Sequence, residues 1–357
     1  MRLNFRIILW PLSLFYRIVI YYRNLLFDTG EIRSVSFGVP VISVGNITAG
    51  GTGKTPHVEY LAAKLSGDKK VAVLSRGYGR NSNGFILLTK GSTAAEAGDE
   101  PAQIKRKFPD VKVAVDNDRV HGIKKLLKFR NAPEIIILDD AYQHRYVKPR
   151  VSILLVSFRR PIFNDLILPA GNLREPRKNT QRADIIIVTK CPPSMTIHER
   201  TSFVLKLKLR KGLKVYFTTY SYGEPVFLFP RKDGGTKPLT FGRMRKQDAG
   251  ILLVTGIADP VPLKDFLKSR AEICESITYG DHHLFTKRDL EFISGKFRNI
   301  RKYNKYVVMT EKDAVRIRDM DIKDRKMRKA LCYVPVEVEF LAGGERPFLK
   351  DLENFLK

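Results

Sequence analysis

Residues 41–56, VISVGNITAGGTGKTP, constrain the fold of this 357-residue chain more than any other segment. The apolar run at residues 41–44 predicts a short buried strand, and glycines crowd the stretch that follows. Because glycine has no Cβ atom, the backbone N–H groups of such a loop can approach an anion closely. The nucleotide-binding candidates in this loop are Gly50, Gly51, Thr52, Gly53, Lys54 and Thr55.

Two of these side chains would complete the chemistry of a phosphate-binding loop. Lys54 offers a positive charge to the β- and γ-phosphates, and the Thr55 hydroxyl is a ligand for Mg²⁺. Thr48 stands where a strict motif has its first glycine. The alternative is a glycine-rich turn with a chance lysine, but strand, loop and helix signals follow in the required order. We therefore predict a site for a nucleoside triphosphate.

Short apolar runs recur along the chain, each followed by a polar turn and a helical stretch. The predicted strands are residues 41–44, 71–74, 111–115, 135–138, 153–156 and 185–188. This alternation predicts βαβ units and an α/β fold with a mostly parallel sheet covered by helices. Residues 214–230 are typical of a two-stranded connector, after which a second, smaller α/β domain begins.

The changes in pattern also give the domain boundaries. We expect an N-terminal helix, a P-loop domain, a connector, the smaller α/β domain and a C-terminal segment that could return to the first domain. Their predicted ranges are 1–27, 28–225, 226–245, 246–335 and 336–357.

The first 27 residues are apolar and aromatic, but their longest charge-free run, residues 7–16, is too short for the ~20 residues of a spanning helix. Four polar residues are spaced so that they share one narrow stripe of a helix: Arg6, Ser13, Arg17 and Asn24. A narrow polar stripe opposite a wide apolar face is typical of a helix in the membrane interface, with its arginines reaching lipid phosphates. The alternative is a helix packed on the protein's own core.

The chain carries 64 Lys and Arg against 37 Asp and Glu, a net charge of +27. Such a charge indicates an anionic partner: nucleic acid, an acidic membrane surface or a phosphorylated substrate. A nucleic-acid-associated NTPase is therefore a rival hypothesis, although the basic residues are dispersed and no recognition module is visible. The three cysteines are far apart and predict reduced thiols in a cytosolic compartment.

Acidic residues follow two of the apolar segments. Asp139 and Asp140 end the strand at 135–138, where P-loop enzymes place an acid that holds Mg²⁺. An acid pair there could instead cap the next turn. Asp99 lies in the turn AGDEP, where the alternative role is a helix N-cap.

Other candidates have weaker local signals. His282 follows Asp281 and could be an acid–base partner, although adjacent histidines are usually surface features. Three arginines are candidate phosphate clamps, each also explicable as a structural charge: Arg76, Arg119 and Arg174. The VTKC segment is similar to the base-reading loop of GTPases, but no aspartate stands two residues after Lys190, which disfavours guanine recognition.

Together these motifs resemble one family, the tetraacyldisaccharide 4′-kinases, which phosphorylate the lipid A precursor. The matching segments are VGNITAGGTGKTP (44–56), SRGYGR (75–80), AGDEP (97–101), LDDAYQHR (138–145), LPAGNLREP (168–176), TGIADP (255–260), DHH (281–283) and TEKDAVR (310–316). They occur in one order over most of the chain, which makes chance matching very improbable.

The resemblance implies a phosphotransferase that uses ATP and Mg²⁺ to phosphorylate the 4′-hydroxyl of a lipid-linked disaccharide 1-phosphate. It implies attachment to the cytoplasmic face of the bacterial inner membrane through the N-terminal segment, with no nucleic-acid partner. By position, Lys54 and Thr55 would hold ATP and Mg²⁺, and Asp139 and Asp140 would organise the metal.

The resemblance also assigns roles on the acceptor side. Asp99 and His282 would act together in deprotonating the acceptor hydroxyl, which requires closure between the two domains. The remaining carried-over residues would contact nucleotide or substrate: Arg76, Arg119, Gln143, His144 and Arg174.

Overall fold

The apolar runs of the sequence become strands of two separate sheets. The computed structural model describes residues 5–229, 238–281 and 283–357. The strands are β1 (Val41–Gly45), β2 (Val71–Ser75), β3 (Ile86–Leu87), β4 (Lys112–Val115), β5 (Ile135–Asp139), β6 (Val151–Ser157), β7 (Ile185–Thr189), β8 (Lys214–Tyr222), β9 (Val226–Phe227), β10 (Gly250–Thr255), β11 (Glu272–Thr278), β12 (Lys305–Thr310), β13 (Leu331–Val334) and β14 (Val336–Phe340). The helices are α1 (Trp10–Asp28), α2 (Lys54–Leu65), α3 (Ala94–Ala97), α4 (Asp99–Lys107), α5 (Arg119–Leu127), α6 (Ile197–Leu207), α7 (Phe241–Lys246), α8 (Val261–Lys268), α9 (Lys287–Asn299), α10 (Glu311–Arg318), α11 (Arg325–Ala330) and α12 (Glu345–Leu356).

The larger sheet contains nine of the described strands, in the order β14-β8-β7-β6-β1-β5-β2-β4-β3. Neighbouring strands from β8 to β4 are parallel, and β3 pairs antiparallel with β4 at the edge. Every residue of β1, β2, β5, β6 and β7 is buried. Burial along whole strands is typical of a parallel sheet with both faces covered. The mostly parallel α/β fold predicted from the sequence is confirmed.

The smaller sheet has the order β11-β10-β12-β13-β9 among the described residues, with only β9 antiparallel to its neighbour. The sequence predicted a two-stranded connector at residues 214–230, but β8 joins the larger sheet and β9 the smaller one. A two-stranded ribbon alone is marginally stable, and each strand gains more from pairing within a larger sheet. Residues 230–237 of the predicted connector lie outside the described residues.

The chain divides into two compact units. The first comprises the chain up to residue 92, residues 104–220 and residues 338–357, and the second comprises residues 93–103 and 221–337. The turn that carries Asp99 therefore belongs to the second unit. The domain boundaries given above stay a prediction.

Helix α1 directs its polar stripe toward the protein. Ser13 and Asn24 are both buried, although they are polar. The Ser13 hydroxyl donates to the carbonyl oxygen of Ile167 over 3.1 Å and accepts from the N–H of Ala170 over 3.0 Å. The stripe thus satisfies backbone groups of the loop that follows β6.

Two arginines of this segment also contact the protein. Arg6 Nη1 donates to Asn172 Oδ1 over 3.2 Å, and Arg23 Nη2 donates to the carbonyl oxygen of Gln143 over 2.9 Å. Loop carbonyl and amide oxygens lie within reach and provide the acceptors that the guanidinium groups need. Arg17 remains exposed.

The opposite side of α1 and the turn before it expose a continuous set of large apolar side chains. They are Ile8, Leu9, Trp10, Leu12, Leu14, Phe15, Ile18, Val19, Tyr21, Tyr22, Leu25 and Leu26. The fractional exposure of Phe15 reaches 69%. Within the described ranges no helix combines the length and the apolar character needed to cross a bilayer.

Gly122 of α5 can be used to test how tightly this helix, which begins with Arg119, packs on β2. Gly295 of α9 is the control. A Cβ atom on Gly122 would lie 2.9 Å from Leu74 Cδ2 and 3.1 Å from Asp116 Cβ, whereas one on Gly295 in α9 would meet nothing within 4 Å. Helix propensity alone favours alanine, so Gly295→Ala should raise the free energy of unfolding by about 0.5–1 kcal/mol. Overpacking costs about 1–3 kcal/mol, so Gly122→Ala should lower it by about 1 kcal/mol. Denaturant unfolding measures both, and shifts of the same sign would contradict this packing.

Candidate active site

Three glycines between β1 and α2 take a backbone conformation that other residues rarely adopt. The φ angles of Gly50, Gly51 and Gly53 are +74°, +56° and +84°. Gly53 immediately precedes α2, and the first N–H groups of a helix carry a positive partial charge and lack intrahelical partners. The loop and the helix end therefore form a site suited to a chain of phosphates.

Buried side chains hold the loop in this shape. Asn46 Nδ2 donates to Thr52 Oγ1 over 2.6 Å, and the Thr189 hydroxyl donates to the Thr52 carbonyl oxygen over 2.8 Å. Thr48, in the place of the strict motif's first glycine, forms an antiparallel bridge with Leu173. Extended backbone suits a β-branched residue, so this position does not need glycine.

A histidine that was not among the predicted site residues braces the end of the same loop. His57 is buried, with Nδ1 2.8 Å from the Gly53 carbonyl oxygen and Nε2 3.0 Å from the Thr218 hydroxyl oxygen. Burial lowers the pKa of His57 to about 4, so we assign a neutral ring whose Nδ1–H donates to the carbonyl while Nε2 accepts from the hydroxyl. In the trans peptide between Gly53 and Lys54, the C=O and N–H groups point in opposite directions. Because His57 holds the Gly53 carbonyl oxygen, the Lys54 N–H points away from His57. The sequence signal, one polar side chain within a helix, was too common to identify it.

The acid pair lies beside the glycine loop because β5 is the neighbour of β1. Asp139 is the last residue of β5 and the register partner of Val44 in β1. Its side chain is fully buried, and Ser75 at the end of β2 donates a hydrogen bond to Oδ2 over 3.2 Å. Carboxyl ends of parallel strands meet at one edge of the sheet, where α/β proteins bind ligands.

Asp140 connects this edge to two cations. Its backbone is left-handed, with a φ of +49°. Its carboxylate lies 3.4 Å from Lys54 Nζ and 3.3 Å from Arg174 Nη1. Burial alone would raise the pKa of Asp140, but Lys54 and Arg174 outweigh it and hold the pKa below its ordinary value. Thr55 follows Lys54 in the first turn of α2, so the predicted hydroxyl, lysine and acids share one region.

Two further basic side chains each have a buried nitrogen with no hydrogen-bond partner in the described part of the chain. Arg119 is buried, and its Nε has no hydrogen-bond partner among the residues that the structure describes. Burial lowers the pKa of Arg119, while Asp139 and Asp140 counteract that shift. Burial, with Arg119 nearby, lowers the pKa of His144 to about 4, and its Nε2 also lacks a partner in the described ranges. Unsatisfied buried polar atoms are rare, which makes both residues candidates for ligand contact.

Gln143 and Arg76 occupy different environments. Gln143 Nε2 donates to the Asn46 carbonyl oxygen over 2.8 Å and so contacts the strand end from which the glycine loop starts. Arg76 follows β2 and is exposed. It acts electrostatically on Arg119 and His144. The predicted basic residues therefore gather at the edge of the sheet that carries the glycine loop.

Asp99, a predicted acceptor-side residue, is not in this unit. Asp99 is the first residue of α4 in the second unit, where Arg316 Nε donates to its Oδ2 over 2.7 Å. Arg316 belongs to the TEKDAVR segment, which resembles the family motif but suggests no role by its sequence alone. His282 lies outside the described residues.

Comparison with known proteins agrees with this arrangement. A protein-family model described as tetraacyldisaccharide-1-P 4′-kinase matches residues 5–357. The tetraacyldisaccharide 4′-kinase of Phocaeicola vulgatus is 44% identical over 351 residues, which cover 98% of this chain and 94% of the relative. The protein of the same name from Bacteroides thetaiotaomicron is 42% identical over 354 residues, covering 98% and 93%.

A solved structure extends the similarity to the fold. It is described as the "apo" form of LpxK from Aquifex aeolicus in complex with ATP. Its TM-score is 0.75 at 27% sequence identity, and the match covers 99% of this chain and 100% of that one. On the match of the family model and the identity of the relatives, the chain belongs to the tetraacyldisaccharide-1-P 4′-kinase family.

Proposed function

We propose that this chain transfers the γ-phosphoryl group of ATP to the 4′-hydroxyl of a tetraacylated glucosamine disaccharide 1-phosphate, a precursor of lipid A. The main observation that supports ATP as the phosphoryl donor is the 3.4 Å contact between Lys54 of the glycine loop and Asp140 of the acid pair. Membership of the family supplies the identity of the acceptor.

The glycine loop would hold the phosphates of ATP through its backbone N–H groups and Lys54. Phosphoryl transfer passes through a loose transition state whose negative charge is spread over the phosphoryl oxygens. Donors that are already in place stabilise this charge without reorganisation. The buried contacts of Thr52 and the His57 contact to Gly53 would provide that rigidity.

Thr55, Asp139 and Asp140 provide the oxygen donors that Mg²⁺ prefers. Among the described residues no group of three or more His, Cys, Asp or Glu side chains could hold a metal ion. A site with few protein ligands suits Mg²⁺, which binds through one or two carboxylates, water and substrate phosphates. When bound, the ion would neutralise charge on the transferred phosphoryl group.

The basic residues around the acid pair would contact nucleotide or substrate phosphates. Arg119 and His144 each keep a buried polar atom that a ligand would satisfy. Arg76 and Arg174 add positive charge, and Gln143 supports the loop. A neutral His144 can donate a hydrogen bond to an anionic oxygen without adding a second charge beside Arg119.

Asp99 and His282 would activate the acceptor hydroxyl. A sugar hydroxyl is weakly acidic, so its attack on phosphorus gains from a base positioned within hydrogen-bond reach. This assignment comes from the family motif at each position.

The exposed side of α1 would attach the protein to the membrane that contains the acceptor. Ser13 and Asn24 of its polar stripe are buried against the protein, so the exposed side presents a wide apolar surface with Tyr and Trp side chains. Aromatic side chains prefer the membrane–water interface. Since ATP is a cytosolic substrate, we place the protein on the cytoplasmic face of the inner membrane.

The first test is turnover of the proposed substrates by the purified protein with Mg-ATP. The wild-type protein should form the 4′-phosphorylated lipid, and Lys54→Ala should lower kcat/KM about 10³-fold because a charge that stabilises the transition state is lost. Transfer of labelled γ-phosphate to the lipid measures both. Lys64→Ala is the matched control, because Lys64 lies on the same helix but pairs with Glu345 over 2.9 Å. Absence of the lipid product from the wild type would reject the proposed function.

A second prediction concerns the metal. Asp139→Asn should raise the Mg²⁺ concentration for half-maximal activity about 10–100-fold, because an amide oxygen binds the ion less tightly than a carboxylate. A Mg²⁺ titration at saturating ATP measures the shift. Asp68→Asn, in the exposed turn after α2, should leave the titration unchanged. The same half-maximal concentration in both variants would remove Asp139 from the metal site.

A third prediction concerns the exposed side of α1. The double substitution Phe15→Glu and Val19→Glu should abolish most co-flotation with phosphatidylglycerol vesicles, because carboxylates oppose burial of this surface in an anionic interface. Ile197→Glu, at an equally exposed apolar residue of α6 (74% exposed), should float like the wild type. Undiminished flotation of the double variant would show that α1 does not attach the protein.

A further inference from the structure

Two segments that are more than two hundred positions apart meet in the second unit through one arginine. Arg316 of α10 donates from Nε to Asp99 Oδ2 over 2.7 Å, and its Nη2 lies 2.6 Å from the same oxygen. The Arg316 side chain is only 3% exposed and that of Asp99 only 15%. Charged groups this far from water persist only when they are paired and hydrogen-bonded.

The guanidinium group is itself held on its other edge. Arg316 Nη1 donates to the Gly256 carbonyl oxygen over 3.0 Å and to Asp313 Oδ1 over 3.0 Å. Asp313 has no exposed surface, and its Oδ2 accepts from the Gly256 N–H over 2.9 Å and the Thr310 hydroxyl over 2.6 Å. The guanidinium orientation is therefore set by groups other than Asp99.

Asp313 also belongs to the start of α10. Its N–H donates to Thr310 Oγ1 over 3.1 Å, which caps the helix. The position of Arg316, one turn further along the same helix, is thus tied to the carboxyl end of β12. A second ion pair, Lys312 Nζ to Glu100 Oε1 over 3.0 Å, joins the same two helices at the residue after Asp99.

This arrangement exceeds what a structural ion pair needs. A planar guanidinium fork can bind three partners in fixed directions, whereas an ammonium group acts as a point charge. Here one edge is anchored to a fully buried carboxylate and a backbone carbonyl, and the other edge is presented to Asp99. The Oδ2 oxygen of Asp99 is consequently held at a defined position beside the first turn of α4.

We propose that Arg316 is a positioning residue, which holds the Asp99 carboxylate in the orientation required for activating the acceptor hydroxyl. This inference rests on the role of Asp99 in the proposed function. Arg316 would not touch the reacting atoms and would act only through Asp99. Asp313 and the Gly256 carbonyl support it from behind.

A double-mutant cycle separates action through Asp99 from a general structural effect. Asp99→Asn and Arg316→Gln should each lower kcat about 10²-fold or more, since acid–base groups contribute on that scale, while KM for ATP changes little. The protein with both substitutions should be no slower than Asp99→Asn alone, because Arg316 would have nothing left to position. Arg298→Gln is the matched control. It removes another Arg–Asp pair of the second unit, to Asp324 over 2.9 Å, and should leave kcat unchanged.

Arg316→Gln leaves Asp313 buried without its cation, so folding of each variant is checked by near-UV circular dichroism. If Arg316→Gln does not fold, Arg316→Lys keeps the charge but cannot bind all three partners, and should still lower kcat at least tenfold. Normal kcat in a folded Arg316 variant, or losses that multiply in the double variant, would overturn the inference alone. Normal turnover of Asp99→Asn would instead reject the proposed role of Asp99 and the inference with it.

Discussion

The adjacency of β1 and β5 at the centre of the larger sheet is the constraint on which the candidate site depends. In parallel register Val44 lies beside Asp139, so the glycine loop and the acid pair leave the sheet at the same edge. The approach is close: a Cβ atom on Gly45 would lie 2.7 Å from the backbone nitrogen of Tyr142. Glycine at the end of β1 therefore allows the chain after Asp140 to pass beside the loop. The contact between Lys54 and Asp140 is a consequence of this geometry.

The parts of the fold that depend on local chemistry could be predicted from the sequence. Apolar runs predicted the strands, and the glycine-rich stretch predicted the loop. Both signals are local, because hydrophobic periodicity and the tolerance of glycine for positive φ can be read from a few consecutive residues. His57 and Arg316 were missed because their roles depend on partners far along the chain. Thr218 and Asp99 are those partners, and no spacing rule connects them.

Helix α1 shows a different limit. Periodicity identified a polar stripe and an apolar side but carries no information on which side meets the protein. The loop after β6 exposes carbonyl and N–H groups that need partners, and Ser13 satisfies two of them. Burying Ser13 and Asn24 removes two polar groups from solvent at little cost, since both are hydrogen-bonded. The apolar side is then left outward, an arrangement opposite to that of an ordinary surface helix.

Charge balance explains why a lysine proposed to bind phosphate and acids proposed to bind a metal are useful neighbours. Lys54 and Arg174 are both within 3.4 Å of Asp140, so the two cations and the carboxylate compensate one another. A phosphate that draws Lys54 toward the glycine loop takes positive charge away from Asp140. A half-buried carboxylate without compensation is costly, and a divalent cation beside Asp139 and Asp140 would restore the balance. Nucleotide and metal are therefore expected to favour each other's binding through the charge of this one carboxylate.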